Sequence, residues 1–122
     1  MKVFITGGTG YIGGRLVAAL LKRGDRVQLL TRCLKNPEAA VANNVQICFG
    51  DLLNPSSLKA GMDGCDAVIH LAGYAKNWAA NPMTYYYVNV RGTRYVLEAA
   101  LQAGVKKVVC ASSIVVFGPS NN

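Results

Sequence analysis

A glycine-rich turn near the start of the chain is the first feature whose residue types and spacing could do chemistry. Gly7, Gly10 and Gly13 recur at every third position, after an apolar run at 2–6 and before an amphipathic stretch at 15–23. Glycine at these points permits a sharp turn, close approach of a ligand to the backbone, and close packing of helix on strand. The helix N-terminus directs unpaired N–H groups and a positive dipole end at one point, which favours a phosphate or pyrophosphate.

Two other interpretations of this turn exist. One is an ordinary strand-to-helix connection with several glycines. The other is an ATP-type phosphate loop, which needs Lys-Ser or Lys-Thr at its end, whereas this turn ends in Gly13-Gly14-Arg15. The position of the pattern between a predicted strand and a predicted helix favours a dinucleotide site.

Charged residues follow the second and third predicted strands. Arg32 offers a cation to a 2′-phosphate and favours NADP, where an acidic residue would favour NAD; Lys35 could assist. Asp51 could accept from the adenine amino group. The alternatives are a surface arginine without function and a turn or cap aspartate.

The fourth and fifth predicted strands also end in suggestive residues. Small residues after His70 would let a cofactor pass close to the backbone, whereas His70 itself is predicted to be packed or hydrogen-bonded, not catalytic. Asn89 is predicted to face the sheet and hold backbone or a water molecule. Ser112 and Ser113 would face the nicotinamide end of the site, although serines are common in such turns.

The elements that position these residues alternate between strand and helix. Strands are predicted at 2–6, 26–31, 45–49, 65–71 and 107–113, and helices at 11–23, from Asn54-Pro55, and from Asn81-Pro82 to about Ala103. Near-continuous apolar strands indicate burial on both faces. The predicted fold is α/β, a Rossmann-type doubly wound parallel sheet in the order 3-2-1-4-5, with one domain over 1–122. The last helix is predicted to bury one face, made of Met83, Tyr86, Val90, Thr93, Leu97 and Ala100.

The amino-acid composition limits the classes of partner that the protein could bind. The chain carries 13 Lys and Arg against 6 Asp and Glu, a net charge of +7, which suits an anionic partner. Nucleic acid and a multiply phosphorylated cofactor are the two candidates. Because basic residues never run beyond two, most of the excess charge is interpreted as solvated surface and not as a groove for a nucleic-acid backbone. No membrane-length apolar run or leader is visible, and Cys48 and Cys110 lie in strand-like runs, which predicts buried free thiols and a cytoplasmic protein. No metal-ligand spacing is present.

Taken together, the motifs resemble the extended short-chain dehydrogenase/reductases, the NAD(P)-dependent epimerases, dehydratases and dihydroflavonol-type reductases. The matching segments are 6–13, 50–52, 70–73, 89–93 and 108–114, and Arg32 with the tract 78–90 is closest to the dihydroflavonol reductase-like branch, which tends to use NADP. The resemblance implies an NADP cofactor, with NAD possible. It implies that Ser113 is the catalytic serine. It also implies that the cofactor is bound by Gly7, Gly10, Tyr11, Ile12, Gly13, Arg32, Asp51, Leu52, Leu71, Ala72, Gly73 and Asn89.

The family's Tyr-x-x-x-Lys acid–base element is not found in this sequence. The residues four positions after the six tyrosines are Arg15, Trp78, Asn89, Val90, Arg91 and Ala99. We therefore expect the N-terminal portion of a family member, inactive alone, with a small-molecule substrate bound only by a longer form. A non-catalytic dinucleotide-binding module and, less favoured, an RNA-binding fold are the alternatives. An uncovered apolar strand at 108–117 predicts homo-oligomers or edge association.

Overall fold

The sheet sets the position of everything else in the molecule. A computed structural model describes residues 1–33 and 45–118, and in this part five parallel strands form one sheet in the order β3-β2-β1-β4-β5. The strands are β1 Lys2–Thr6, β2 Arg26–Thr31, β3 Val45–Phe49, β4 Ala67–His70 and β5 Lys107–Cys110. The predicted doubly wound order is confirmed. Lys35 lies outside the described residues.

Helical segments connect the strands. They are α1 Tyr11–Lys22, α2 Pro55–Met62, α3 Met83–Tyr85, a π-helical stretch Tyr86–Gly92, α4 Thr93–Gln102 and a 3-10 turn Ile114–Phe117. The predicted start of α2 is confirmed, because the Asn54 side chain accepts from the N–H groups of Ser56 and Ser57 at 3.1 and 3.2 Å. The chain leaves α1 through Gly24, whose φ of 86° is costly for any other residue.

Hydrophobic clusters cover both faces of the sheet. On one face, Phe4 and Val68 pack with Leu58 of α2 and Val96 of α4. On the other, Ile5 and neighbouring strand residues pack with α1. Alternate residues of the central strand β1 thus reach opposite clusters, which is why its apolar run is continuous.

The predicted buried face of the last helix is only partly right. Ala100 is buried and Thr93 is half-buried, as predicted. Met83, Tyr86, Val90 and Leu97 are instead each roughly half exposed, and the other buried positions are Gly92, Val96 and Ala99. From Tyr86 onward, the cause is the π-helical stretch Tyr86–Gly92, which rotates side chains relative to a regular α-helix. A pattern counted at 3.6 residues per turn loses its phase there.

The outer strands also differ from the prediction of burial on both faces. Phe49 of β3 is 65% exposed and Val109 of β5 is 49% exposed, because β3 and β5 are the ends of the described sheet. For the same reason Cys110 is exposed and Cys48 only half-buried, so the predicted burial of the Cys110 thiol is wrong. All four cysteines are free thiols.

Residues 1–33 and 45–118 contain neither a membrane-crossing helix nor a cluster of metal-ligating side chains. No helix in these segments has the length and apolarity that crossing a membrane requires. Nor do these segments bring together three or more His, Cys, Asp or Glu side chains that could hold a metal ion.

Candidate functional site

A cleft of about 550 Å³ opens at the carboxyl ends of the strands, where β1 meets β2 and β4. Because the connections on the two sides of β1 leave in opposite directions, this point is where doubly wound folds bind ligands. The cleft is lined by Thr6, Gly7, Thr9, Gly10, Leu30, Thr31, Arg32, Cys33, Gly50, Asp51, Leu52, Leu71, Ala72, Gly73, Tyr74, Thr84 and Val88.

The glycine turn forms the floor of the cleft by close backbone packing. Gly7 has φ 74°, and a Cβ there would lie 2.5 Å from the backbone nitrogen of Ala72 at the end of β4. Gly13 is buried, and a Cβ on it would overlap the carbonyl oxygen of Gly7 and lie 2.5 Å from Cα of Gly8. Side chains at these two positions would push α1 and β4 away from the turn.

Gly10 differs from Gly7 and Gly13 because it faces open space. A Cβ at Gly10 would meet only the carbonyl oxygen of Gly7, at 3.3 Å. Gly10 is the N-cap of α1, no side chain caps this helix, and its first turn carries no acidic residue. The N–H groups of Tyr11, Ile12 and Gly13 are therefore the natural donors to an anion beside Gly10.

Two side chains of opposite charge, Arg32 and Asp51, lie just after the ends of β2 and β3. Arg32 Nε lies 3.9 Å from Oδ2 of Asp51, and the Arg32 side chain is 82% exposed. Asp51 is held by its own turn, since Oδ1 accepts from Leu53 N–H at 2.8 Å, while Ser57 Oγ accepts from Asp51 N–H at 3.3 Å. The carboxylate is thus fixed, whereas the guanidinium can turn toward an incoming anion.

The wall of the cleft after β4 is held by Asn89. Its side-chain oxygen accepts from Tyr74 N–H at 2.7 Å and its side-chain nitrogen donates to the Tyr74 carbonyl at 3.0 Å. These two hydrogen bonds, the Asn89 clamp, hold the backbone of Tyr74. Holding backbone is one of the two roles predicted for Asn89. The Asn89 clamp fixes the strand exit that includes Leu71, Ala72 and Gly73.

His70 lies beneath this wall, 4% exposed. Its Nδ1 is 2.6 Å from Thr6 Oγ1 and its Nε2 is 2.9 Å from Thr93 Oγ1. Burial lowers the pKa of His70 below its usual 6.5, because the charged ring loses its hydration. A packed, hydrogen-bonded histidine was predicted, and it is what the structure contains.

Most of the predicted cofactor residues come together in the cleft. Eight of the twelve line it: Gly7, Gly10, Arg32, Asp51, Leu52, Leu71, Ala72 and Gly73. Tyr11, Ile12, Gly13 and Asn89 do not. The side chains of Tyr11 and Ile12 are 78% and 68% exposed, so only their backbone faces the turn. Ser113, after β5, is exposed and outside the lining.

Nine of the seventeen lining residues are not among the twelve predicted cofactor residues, and three of these nine lie after β4. Tyr74 belongs to the loop after β4, and Thr84 and Val88 belong to α3 and the π-helical stretch. Val88 is four residues after Thr84, so their side chains lie on the same side of the helical segment. The predicted face, which included Tyr86 and Val90, did not contain them.

The chain is similar to proteins of one family along almost its whole length. The profile of the NAD dependent epimerase/dehydratase family matches residues 3–122. A UDP-glucose 4-epimerase of Erwinia amylovora is 38% identical over 130 residues, which cover 97% of this chain and 38% of that protein. A 4-hydroxy-2-methyl-3-oxo-4-farnesyl-3,4-dihydroquinoline-1-oxide ketoreductase of Stigmatella aurantiaca is 36% identical over 113 residues, 93% of this chain and 34% of that protein.

A solved structure gives the same result for the fold. A short-chain dehydrogenase/reductase superfamily protein from Agrobacterium tumefaciens with bound NAD superposes with a TM-score of 0.83 at 30% identity, covering 97% of this chain and 34% of that one. The chain therefore spans between a third and two fifths of the length of these three proteins. The family predicted from the motifs is confirmed.

Proposed function

The chain belongs to the NAD dependent epimerase/dehydratase family, and on that premise we propose that residues 1–122 form the NADP(H)-binding portion of an oxidoreductase or epimerase. The reaction is hydride transfer to or from a hydroxyl or carbonyl substrate. The similar proteins from Erwinia and Stigmatella are named as an epimerase and a ketoreductase, which supports that reaction class. Dihydroflavonol-like and sugar-nucleotide molecules are the proposed substrate classes, bound by a longer form of the protein.

The observation that carries this proposal is the convergence of three chemically different subsites in one cleft. The open N-terminus of α1 beside Gly10 suits the pyrophosphate, and Asp51 with Leu52 suits the adenine. The small residues Ala72 and Gly73 leave space along β4 for the riboses. A dinucleotide contains all three parts, with the adenine at one end and the pyrophosphate between the two riboses. When bound, it supplies the hydride acceptor or donor, and the described residues bind and orient it.

Arg32 supports NADP over NAD. Its exposed guanidinium is the cation at the end of β2, where a 2′-phosphate would lie. Asp51, 3.9 Å away, opposes this preference by competing for the guanidinium. We propose that a phosphate prevails, because a doubly charged anion attracts the cation more strongly than one carboxylate. The related Agrobacterium structure holds NAD, so NAD is the alternative cofactor.

Ser113 is the proposed catalytic serine, polarising the substrate oxygen. The tyrosine and lysine of the acid–base pair are proposed to lie in a longer form, because none of the six tyrosines in 1–122 has lysine four residues later. We therefore expect the 122-residue chain to bind nucleotide without turnover. Measurable NADPH-dependent reduction of a carbonyl substrate by this chain would contradict that expectation.

The second candidate is a non-catalytic dinucleotide-binding module. It is favoured by the same observation, the lack of Tyr-x-x-x-Lys in the sequence. The sequence of the gene beyond the codon for Asn122 separates the two candidates. A downstream Tyr-x-x-x-Lys supports the enzyme, and continuation without one supports the module.

A charge reversal at Arg32 tests the proposed cofactor. Wild type is titrated with NADPH and with NADH, followed by nucleotide fluorescence, beside Arg32→Asp and Arg26→Asp. Arg26 is the matched control, because it is an exposed arginine at the opposite end of the same strand. We expect Arg32→Asp to weaken NADPH binding about tenfold or more and to leave NADH binding nearly unchanged. Equal affinities of wild type for the two nucleotides would contradict the NADP preference.

We also propose that the exposed end of the sheet pairs with a second copy of the chain. Val109, Ile114, Val116 and Phe117 are between 49% and 84% exposed beside β5, the last strand of the described sheet. Unpaired strand edges with apolar side chains are templates for association. A monodisperse monomer at high concentration, measured by light scattering, would contradict this proposal.

A further inference from the structure

A chain of hydrogen bonds crosses the protein beneath the cleft and joins two of its walls. It begins at Ala72 N–H, which donates to Thr6 Oγ1 at 3.4 Å, and continues from Thr6 to Nδ1 of His70 at 2.6 Å. On the other side of the ring, Nε2 lies 2.9 Å from Thr93 Oγ1, which donates to the Asn89 carbonyl at 2.7 Å. Every buried side-chain nitrogen and oxygen in the described segments has a partner.

The direction of the protons follows from the two ends of this chain. Thr6 is fully buried, and of its two hydroxyl partners Ala72 N–H can only donate, so the Thr6 proton goes to Nδ1 of His70. Thr93 gives its single hydroxyl proton to the Asn89 carbonyl, so it must accept from Nε2. Both ends require the same neutral tautomer, with hydrogen on Nε2.

This chain of hydrogen bonds connects two different parts of the cleft wall. Ala72 lines the cleft and packs against Gly7, whose missing side chain leaves room for it. Asn89 holds the backbone of Tyr74, a second lining residue, through two hydrogen bonds of its side chain. His70 is the link between the β4 exit and the π-helical stretch that carries Asn89.

We propose that His70 is a positioning residue for the nucleotide: as the neutral tautomer with hydrogen on Nε2, it sets the distance between the β4 exit and the segment that carries Asn89. This inference rests on the proposed function for its effect on binding, but its tautomer does not depend on any ligand. His70 touches neither the reacting atoms nor the cleft, so it acts through Ala72 and Asn89.

The tautomer is measured first, on the wild-type chain without ligand. His70 is the one histidine of the sequence, so long-range proton–nitrogen NMR spectra of tag-free protein contain signals of a single ring. We expect a protonated Nε2 and an unprotonated Nδ1 above neutral pH. A protonated Nδ1, or averaging between the two tautomers, would overturn the proposal.

NADPH affinity is measured next, in Thr93→Val and Thr93→Ser. Valine keeps the size of the threonine and removes its hydroxyl, whereas serine keeps the hydroxyl. We expect Thr93→Val to weaken NADPH binding about threefold to tenfold and Thr93→Ser to bind within about twofold of wild type. Loss in both variants would mean that packing, not the hydroxyl, matters, and it would contradict the proposal.

The His70→Asn variant provides the coupling test. The amide oxygen of His70→Asn can still accept from Thr6, but the donor to Thr93 is lost, so the double variant with Thr93→Val should bind NADPH no more weakly than either single variant. Additive losses would overturn the proposal.

Absence of NADPH binding by folded wild type overturns the proposed function, and the positioning role with it. Wild-type binding that Thr93→Val leaves unchanged overturns the positioning role alone.

Discussion

Burial and two hydroxyl partners keep the His70 ring neutral. Protonating Nδ1 would take away the acceptor of the fully buried Thr6 hydroxyl, so the charged ring has a cost beyond lost hydration. The side chains that hydrogen-bond to the ring are those of Thr6 on β1 and Thr93 on α4, and neither of them is a cation or a carboxylate.

This environment predicts a pH dependence of stability. The folded pKa of His70 lies below the unfolded value of 6.5, so as pH falls below 6.5 the unfolded chain takes up a proton and the folded chain does not. Below pH 6.5 the free energy of unfolding should therefore fall with decreasing pH, by at most about 1.4 kcal/mol per pH unit. Above pH 6.5 the His70 ring should make no contribution to the pH dependence. Urea unfolding at several pH values between 5 and 8 measures it.

His70→Asn is the control, because it lacks the titrating ring. Asp25 does not interfere: a hydrogen bond from the N-terminal amine and one from Arg23 lower its pKa below 3.8, so its effect belongs to more acidic solutions. The same slope in wild type and His70→Asn would show that another group is responsible.

Element boundaries were predictable wherever a local signal sets them. Asn54 and Pro55 start α2 as a side-chain cap and a pre-set φ, and Gly24 follows α1 with positive φ, so both signals act within a few residues. The orientation of the last helix was not predictable, because the π-helical stretch depends on tertiary packing. Buried Gly92 there lets the helix approach Leu52, whose Cβ would lie 3.3 Å from an added Cβ.

Adjacent glycines in α1 should respond in opposite ways to alanine. Gly13→Ala places a methyl group against the backbone of Gly7 and Gly8, so we expect a loss of about 1–3 kcal/mol in the free energy of unfolding. Gly14→Ala meets no atom within 4 Å and improves helix propensity, so we expect a gain of about 0.5–1 kcal/mol. Denaturant unfolding of the two variants beside wild type measures both. A stabilised Gly13→Ala would contradict the close approach of α1 to the turn.

At the scale of the molecule, strand order makes the site predictable. Gly10, Arg32, Asp51 and Ala72 are far apart in sequence, but a parallel sheet in the order 3-2-1-4-5 brings the ends of their strands to one edge. Tyr74 could not be found this way, because the path of its loop depends on the Asn89 clamp. The exposure of Cys110 agrees with the prediction of an uncovered strand at 108–117 and contradicts the prediction of a buried thiol, which took only the apolar strand sequence into account.

The proposed function depends on one claim, that a dinucleotide binds with its pyrophosphate beside Gly10. Titration of the 122-residue chain with NADPH, beside Gly10→Val, tests it most directly. Gly10 has φ −80° and ψ 177°, which valine adopts, and an added Cβ needs only a small shift of the Gly7 carbonyl. The variant should therefore fold, as far-UV circular dichroism can verify, while its methyl groups fill the space of the phosphate.

We predict saturable binding of one NADPH per wild-type chain, weakened about tenfold or more in folded Gly10→Val. Folded wild-type chain that shows no saturable NADPH binding, or Gly10→Val that binds as tightly as wild type, would contradict the account.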